Sequence, residues 1–351
     1  MKEIVLARCG LFVPFVDILN DIGAPAERML SKFKLPTHPE ERPDDYFPLF
    51  PALRFATTAQ ASQGITDFGF QAVRRLHLGH VSDPLQAAVR HAPTLLAALQ
   101  QWCRFVQLED TFVRFWLDRH EDHLRICSVI SGTAGMLHLE HTQWVQNVMT
   151  VQLVRQFAGP RWAPATIAFE ARYTPSIETQ SHWPNTRFLS AQQSSWIDVS
   201  IELLSLPNPA KAVRPDPSRD GFQPIDTDTV SMLRLLLPSY LDERVPNIAE
   251  VAEIAGASVR TLQRELAAVG LTYSSLIDQA RFGKAVSLLR AADAKIIDVA
   301  FATGYANPAH FTRAFRRIAG VTPREFRESR STAPAIRSEA VIQGRADSRR
   351  Q

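Results

Sequence analysis

The sequence predicts a two-domain fold, in which an α+β N-terminal domain is followed by an all-α C-terminal domain of two helix-turn-helix units joined by a linker helix. Three observations support this prediction. The C-terminal third contains two copies of one helical pattern, at residues 247–273 and 296–323. A proline-rich stretch precedes them at residues 207–224, and residues 1–206 mix strand-like and helix-like segments. We therefore expect the domain boundary within the proline-rich stretch.

The N-terminal domain, residues 1–206, has segments of both strand and helix periodicity. Residues 112–117 and 124–130 are rich in β-branched and aromatic residues and flank a polar stretch, which predicts a β-hairpin. Residues 165–173 alternate as a strand does. Helical spacing occurs at residues 15–22, 25–33, 49–62, 85–106 and 137–157, the last with Trp144, Val148, Val151 and Phe157 facing inward. A domain of this size is large enough to enclose a pocket.

Two segments have the composition of irregular chain. Residues 207–224 repeat proline among Asn, Ser, Asp and Gly, and proline blocks both helix and sheet, which is typical of a linker. Residues 331–351 are polar, aperiodic and rich in Arg, Ser and Ala, so we expect a disordered tail. The C-terminal domain is thereby predicted to span residues 225–330.

The first copy has local signals for two short helices separated by a turn. Asn247 followed by Glu250 has the pattern of a capping box, which predicts a helix start. Gly256 tolerates the left-handed backbone that ends a helix. Ser258 can then cap the second helix through its hydroxyl group.

The second copy repeats this arrangement with different capping residues. Gly304 ends the first helix, and Asn307 followed by Pro308 opens the next with a capping side chain and a proline at the first helical position. Thr322 and Glu325 form a further capping box, which predicts a last helix to about residue 330. The two copies are therefore expected to fold alike.

Apolar residues at helical spacing predict a small core between the two helices of each copy. In the first copy, the expected core residues are Val251, Ala252, Ala255, Leu262 and Leu266. In the second copy, they are Val299, Ala300, Thr303, Phe311, Phe315 and Ile318.

The outer face of each second helix is polar and basic. It carries Arg260, Thr261, Gln263 and Arg264 in the first copy, and Asn307, His310, Arg313, Arg316 and Arg317 in the second. Arginine can bind guanine in bidentate fashion, glutamine can pair similarly with adenine, and further basic groups can hold phosphate. A merely solvated face is the alternative, but it does not account for two matched copies. We therefore expect two reading helices for double-stranded DNA.

Residues 273–292, between the copies, have the spacing of a connecting helix, weakened slightly by Gly283. A helix of about 18 residues is roughly 27 Å long at ~1.5 Å per residue. Such a connector is expected to set the two reading helices in successive major-groove faces, about 34–36 Å apart. One chain would then read two adjacent half-sites without dimerising.

The distribution of charge agrees with a DNA-binding C-terminal domain. The whole chain has a formal net charge of +3, from 39 Lys and Arg against 36 Asp and Glu. Residues 258–330 hold 12 basic and 6 acidic residues and residues 331–351 hold 4 and 2, which leaves residues 1–257 with 23 and 28. Basic charge is thus concentrated at the reading helices, and binding should depend strongly on salt.

Other classes of protein are poorly supported. The hydrophobic content is 45%, but no apolar run is long enough for a membrane span, and the stretch near residues 11–19 is interrupted by Pro14 and Asp17. The three cysteines are dispersed, which favours buried thiols in a reducing cytoplasm over disulfides or zinc. His138 and His141 lack a third metal ligand, so a solvated or capped helix is expected there. No hydrolase, dinucleotide or phosphate-loop motif occurs, and we expect no enzyme activity, metal or cofactor.

A resemblance to a known family rests on the second copy. Residues 225–330 resemble the DNA-binding domain of the AraC/XylS family of bacterial transcription regulators. The residues that match the family signature are Ala300, Gly304, Tyr305, Phe311, Arg313, Phe315, Gly320, Pro323, Phe326 and Arg327. The resemblance implies a fold of seven helices with two recognition helices. More weakly, by order of elements and length, residues 1–206 resemble the sensor domains of the subgroup that includes regulators of ornithine utilisation and of virulence.

The resemblance also implies roles for particular residues. By position, the base-reading residues are Arg260, Gln263 and Arg264 in the first copy and His310 and Arg313 in the second. Pro308 and Ala309 also fall at base-facing positions, but they offer no hydrogen-bonding side chains, so the second helix is expected to read fewer bases. Phosphate-binding or supporting roles are expected for Ser258, Thr261, Asn307, Thr312, Arg316 and Arg317.

The leading hypothesis is a cytoplasmic transcription regulator whose N-terminal domain binds an unidentified small-molecule effector. Such a regulator is expected to contact RNA polymerase, and the N-terminal domain could also form a homodimer. Arg104, Arg114, Arg125 and Arg172 would suit an anionic effector if one of them faces a pocket. An alternative is a ligand-independent architectural DNA-binding protein. A DNA-repair enzyme with this type of DNA-binding module is a further alternative, but it would need clustered cysteines.

Overall fold

The computed structural model describes residues 4–133, 136, 138–209, 225–241, 243–290 and 294–331. By its internal contacts the chain forms two compact units, Met1–Tyr273 and Ser274–Gln351. The first unit thus continues past the predicted linker, and most of that linker, residues 210–224, lies outside the described residues. The predicted disordered tail also lies outside them from residue 332 onward.

The N-terminal domain contains two sheets. Strands β1 (Leu6–Arg8) and β2 (Tyr46–Pro48) form an antiparallel pair. The described residues of the second sheet form the strands β3 (Val113–Arg119), β4 (His123–Ile130), β5 (Thr166–Ala168), β6 (Arg187–Leu189) and β7 (Ser195–Ser200). Their order across the sheet is β3-β4-β7-β5-β6. Among the described strands of this sheet, the β5–β6 pair is the only parallel one, and the predicted hairpin is confirmed as β3–β4.

Helices cover these sheets and complete the predicted α+β class. They are α1 (Val13–Asp21), α2 (Ala26–Lys32), α3 (Leu49–Gln63), α4 (Phe68–Val73), α5 (Asp83–Arg90), α6 (Leu95–Phe105), α7 (Glu140–Ala158) and α8 (Ile177–Ser181). In α7, Trp144, Val148 and Val151 are buried as predicted, and Phe157 is half-buried. Among the described residues, no helix is long and apolar enough to cross a membrane.

Two predictions about this domain were wrong in detail. The single helix expected over residues 85–106 is two helices, because Pro93 lacks a backbone N–H and the Thr94 hydroxyl accepts a hydrogen bond from the Ala97 N–H, at 3.3 Å, to start α6. The strand expected over residues 165–173 ends at Ala168. Beyond it the chain turns, and the Ala171 N–H donates to the side chain of Gln143 instead of to a strand.

The C-terminal part has seven α-helices among its described residues, as the family resemblance implied. They are α9 (Thr229–Leu236), α10 (Ile248–Ile254), α11 (Val259–Ala268), α12 (Tyr273–Arg290), α13 (Ile296–Ala302), α14 (Pro308–Ala319) and α15 (Pro323–Ser331). Helices α9 to α11 belong to the first compact unit, and the second contains all of α12 except its first residue. The connecting helix predicted over residues 273–292 is confirmed as a continuous helix over Tyr273–Arg290, and residues 291 and 292 lie outside the described residues.

Candidate nucleic-acid interface and ligand cavity

Helix α11 is the reading helix that the first copy predicts. The capping box before α10 is present, since the Glu250 N–H donates to Asn247 Oδ1 at 3.1 Å and the Asn247 N–H donates to Glu250 Oε2 at 2.8 Å. Gly256 has a φ of 57°, which an L side chain rarely adopts, and it reverses the chain between the helices. The Ser258 hydroxyl then accepts from the Thr261 N–H at 3.1 Å and starts α11.

The two faces of α11 have opposite character. The predicted core of this copy is buried, namely Val251, Ala252, Ala255, Leu262 and Leu266. Arg260, Gln263 and Arg264 lie at the i, i+3 and i+4 positions of the exposed face. Within the part of the chain that the structure describes, these three side chains have no hydrogen-bonding or ion-pairing partner. Three side chains with hydrogen-bond donors therefore project from the exposed face of a helix whose opposite face is packed in a core.

Helix α14 occupies the same place in the second copy. Gly304 has a φ of 74°, and the Asn307 side chain accepts from the Ala309 N–H at 2.7 Å, so this turn and cap are confirmed. Val299, Ala300, Phe311 and Phe315 form a core cluster together with Ala285 and Leu289 of α12. Thr303 is also buried, and its hydroxyl donates to the carbonyl group of Val299 at 2.8 Å. Ile318 was wrongly predicted in the core, since it is 36% exposed.

The outer face of α14 is only partly available to a ligand. His310 and Arg313 are exposed, and within the described residues neither has a polar partner. Arg317 donates to Asp278 Oδ2 at 2.6 Å, so its charge is already partly neutralised. The Thr312 hydroxyl donates to the carbonyl group of Pro308 at 3.0 Å, which suits a supporting role better than a DNA contact. Arg316, in the last turn, is exposed.

Sequence reasoning missed a residue that supports the turn of the second copy. The Arg281 guanidinium of α12 lies 4.9 Å from the centre of the Tyr305 ring and donates to the carbonyl group of Gly304 at 3.4 Å. This cation–π contact stabilises the turn that precedes α14. The sequence shows that Arg281 adds a positive charge to the connecting helix, but nothing in its local spacing indicates that it reaches the turn before α14.

Residues 34–42 of the N-terminal domain contact the chain around α9 and α10, within the first compact unit. The Tyr240 hydroxyl donates to the carbonyl group of Lys34 at 2.7 Å, and Arg42 Nη1 donates to that of Ser239 at 2.5 Å. Glu243 Oε1 accepts from the N–H groups of Thr37 and His38 at 2.9 and 3.3 Å. We call this set of contacts the 34–42 bracket.

An ion pair extends the 34–42 bracket to the first helix-turn-helix unit. Lys34 pairs with Glu253, which lies on α10. The 34–42 bracket is also connected to the β1–β2 pair, because α9 packs against β2. The 34–42 bracket therefore joins residues of the N-terminal domain to α10 within one compact unit. No spacing rule links residues this far apart in sequence, so sequence reasoning could not find them.

The N-terminal domain contains a cavity of ≈ 80 Å³ between its β1–β2 pair, α3, α6 and α7. Its lining is mainly apolar and aromatic, and includes Phe12, Phe15, Phe47, Trp102, Phe115 and Met149. The predicted pocket is therefore present. None of the arginines considered for an anionic effector lines it, and Arg125 instead stacks 4.2 Å from the Trp196 ring.

Three residues that line the cavity have buried side-chain atoms without a hydrogen-bond partner among the described residues, and these atoms are packed away from the open space. They are Trp102 Nε1, both ring nitrogens of His141, and Gln146 Nε2. His141 was wrongly predicted in a solvated or capped position, since it is 2% exposed and packs edge-on against Phe15 and Phe68. Burial lowers the pKa of its imidazole to about 4, so it is neutral at pH 7. Burial likewise raises the pKa of the carboxyl of Asp110, another lining residue, to about 7.

Two family profiles match this chain, one to each predicted domain. The profile described as "Helix-turn-helix domain" matches residues 251–329, and that described as "Arabinose-binding domain of AraC transcription regulator, N-term" matches residues 23–182. The chain belongs to the AraC family of transcription regulators. It combines a DNA-binding helix-turn-helix domain with an N-terminal domain of the arabinose-binding type.

The chain is also similar to individual proteins. The HTH-type transcriptional regulator VirS of Mycobacterium tuberculosis is 22% identical over 333 residues, which cover 89% of this chain and 94% of VirS. The HTH-type transcriptional activator RhaS of Escherichia coli is 36% identical over 107 residues, 29% of this chain and 38% of RhaS. The crystal structure of the transcriptional regulator CdpR from Pseudomonas aeruginosa covers 90% of this chain and 97% of its own, at 16% identity and a TM-score of 0.40. The assignment rests on the sequence matches.

Proposed function

We propose that this AraC-family regulator reads a specific DNA site through α11 and α14. The base-reading residues in this proposal are Arg260, Gln263, Arg264, His310 and Arg313. The observation that carries it is the exposed row Arg260, Gln263 and Arg264, because these donors have no partner among the described residues and project from a capped helix with a buried opposite face. Arginine and glutamine are the side chains best suited to bidentate base contacts.

The contacts of the supporting residues indicate two roles, shaping of the reading helices and binding of phosphate. Ser258, Thr261, Asn307 and Thr312 serve the helix starts through hydroxyl and amide hydrogen bonds, so we assign them to shaping the reading helices. Arg316 and Arg317 are assigned to phosphate, where a loss should weaken binding to all sequences alike. Because Arg317 must leave Asp278 to bind phosphate, its contribution should be the smaller of the two.

The Arg264→Ala substitution tests base reading. We expect it to cost about 1–3 kcal/mol on operator DNA and to relax preference at one base pair, with little change on a scrambled duplex. Arg28→Ala is the matched control, since Arg28 is an exposed arginine on α2 and its loss changes the net charge equally. Gel-shift titrations of the full chain on both duplexes measure the effect. An equal loss on both duplexes would make Arg264 a phosphate contact and contradict the proposal.

We further propose that a small-molecule effector occupies the cavity and shifts the population of DNA-binding states. A ligand that fills the cavity would bury its apolar surface against the lining and would stabilise the arrangement of the N-terminal domain in which the cavity is present. The 34–42 bracket gives that change a route to α10. These features support effector control over the ligand-independent architectural alternative, which needs neither a cavity nor a bracket.

The effector hypothesis is tested by ligand-induced stabilisation of the full chain. A metabolite panel of sugars, amino acids, organic acids and uncharged apolar compounds should contain at least one compound that raises the unfolding temperature and changes operator affinity. Coupling of about 1–3 kcal/mol, or roughly 5- to 150-fold in affinity, is the expected size. If no compound changes either quantity, the architectural alternative is favoured. Contact with RNA polymerase and self-association remain predictions, to be tested by pull-down and by sedimentation.

A further inference from the structure

The two reading helices differ in charge at their C-terminal ends. Arg264 of α11 and Arg313 of α14 occupy the same place in the two copies. Three and four residues further on, α14 carries Arg316 and Arg317, whereas α11 carries alanine at both positions. Each arginine can neutralise one phosphate group, and alanine can neutralise none. The second reading helix therefore offers two more side chains for phosphate binding than the first.

Arg317 lies on the reading face of α14. It follows Arg313 by four residues and His310 by seven, so the three side chains form one stripe along a helix of about 3.6 residues per turn. The buried residues Phe311 and Phe315 lie on the opposite side of the helix. The Arg317 side chain is 66% exposed, so packing does not prevent it from reaching a bound duplex.

An acid of the connecting helix nevertheless holds the Arg317 guanidinium. Arg317 Nη2 donates to Asp278 Oδ2 at 2.6 Å, and the Asp278 side chain is 30% exposed. Both residues lie in the second compact unit. Arg281 follows Asp278 by one turn of α12 and contacts the carbonyl group of Gly304 and the ring of Tyr305. This side of the connecting helix therefore faces the second helix-turn-helix unit at two successive turns.

The exchange of Asp278 for a phosphate group offers Arg317 little gain. Guanidinium–carboxylate and guanidinium–phosphate hydrogen bonds are both charge-assisted and are of similar strength. After the exchange, the Asp278 carboxylate would lose this partner and would lie near a phosphate of the same sign, which is unfavourable. Arg316 faces no such competition, because it has no hydrogen-bonding or ion-pairing partner among the described residues. The ion pair of Arg317 is therefore favoured over its phosphate contact.

We propose that Asp278 withholds Arg317 from DNA and thereby limits the affinity of the second reading helix for duplexes of any sequence. Asp278 is a positioning residue in this proposal, since it acts through Arg317 and does not contact DNA itself. The inference rests on the proposed DNA reading by α14 and specifies how the strength of that binding is set. Loss of one acid from the connecting helix should thus create a phosphate contact.

Asp278→Asn tests the restraint, because asparagine keeps the shape of the side chain and removes its charge. A surface ion pair contributes little to stability, so the variant should fold. Fluorescence anisotropy of a labelled random-sequence duplex, titrated with the full chain, should show binding roughly threefold to tenfold tighter than that of wild type. One additional phosphate contact should also steepen the slope of log affinity against log salt by about 0.9. Unchanged or weaker binding would overturn the proposal.

Arg317→Ala distinguishes the withheld arginine from simple repulsion between Asp278 and DNA. In the wild-type background it should change affinity by less than about twofold, whereas in the Asp278→Asn background it should remove the whole gain. If Asp278→Asn tightens binding equally with and without Arg317, the acid repels DNA directly and the proposal is wrong.

Asp298→Asn is the matched control for the change in net charge. Asp298 is an exposed acid on α13 of the same compact unit, and it has no ion-pairing partner among the described residues. The control variant should bind within about twofold of wild type, with an unchanged salt dependence. A gain as large as that of Asp278→Asn would show a general effect of charge and contradict the proposal.

A second comparison decides the matter if Asp278→Asn does not fold. Arg316→Ala should weaken binding to the random-sequence duplex roughly threefold to tenfold, and Arg317→Ala by less than about twofold. Equal losses would show that Arg317 is not withheld. If the wild-type chain itself does not bind the duplex at low salt, the proposed DNA-reading function fails, and not this inference alone.

Discussion

Truncation of Phe311 is predicted to destabilise the second helix-turn-helix unit while the stability of the N-terminal domain is unchanged. Phe311 is 1% exposed, and its ring lies 5.8 Å from that of Phe315 and 5.7 Å from that of Tyr305. Removing a buried phenylalanine ring costs about 3–5 kcal/mol. A unit of this length is stable by only roughly 4–12 kcal/mol, so Phe311→Ala removes a large part of that stability.

Hydrogen exchange followed by mass spectrometry measures this loss locally. Peptides covering residues 296–319 should exchange about 100- to 1,000-fold faster in Phe311→Ala, since each 1.4 kcal/mol corresponds to about a factor of ten. All six tryptophans lie in residues 1–206, so the tryptophan fluorescence transition reports the first unit and should not change.

Ile318→Ala is the matched control for Phe311→Ala. Both residues are apolar and lie on α14, but Ile318 is 36% exposed, so its truncation should cost less than about 1 kcal/mol. If the two substitutions increase exchange equally, Ile318 belongs to the core and the packing described for this unit is wrong.

Two further predictions concern the N-terminal unit. Arg42→Met removes a nearly buried guanidinium that donates to the Ser239 carbonyl group and lies 3.8 Å from Glu243. We therefore expect the free energy of unfolding, measured in the tryptophan-monitored transition, to fall by about 2–4 kcal/mol and effector control to weaken. Arg54→Met, at an exposed arginine, should change neither. Asp110→Asn should gain stability relative to wild type as the pH rises from 4 to 7. The folded pKa of Asp110 is raised to about 7, so the unfolded wild-type chain releases this proton first and stability falls over that window, by roughly 4 kcal/mol at most. Denaturation midpoints at pH 4.5 and pH 7.5 measure the difference, and a constant difference would contradict the raised pKa.

The parts of this fold that sequence predicted are those decided by short-range stereochemistry. Asn247, Ser258 and Asn307 cap helices because their side chains reach N–H groups two or three residues away, and that geometry is visible in the sequence. Gly256 and Gly304 follow from the left-handed backbone that each turn needs. The two copies and their exposed basic faces were therefore predictable.

The parts that sequence did not predict depend on contacts between distant residues. The burial of His141 follows from its packing against Phe15 and Phe68, which no local period reveals. Ile318 has the correct spacing for the core of α14, yet it is 36% exposed and lies outside the core cluster of this unit. The residues that face the cavity come from separate strands and helices, so their convergence needed the tertiary structure.

The 34–42 bracket has a practical consequence for dissecting this regulator into pieces. A fragment that starts at residue 225 lacks the Lys34 carbonyl group, which accepts the hydrogen bond of the Tyr240 hydroxyl. It also lacks Arg42, which donates to Ser239, and the N–H groups of Thr37 and His38, which donate to Glu243. Tyr240 itself, 5% exposed in the full chain, would face water. If such a fragment fails to bind DNA, the cause could be damage to the first helix-turn-helix unit rather than a requirement for the N-terminal domain. Point substitutions in the intact protein distinguish these two causes.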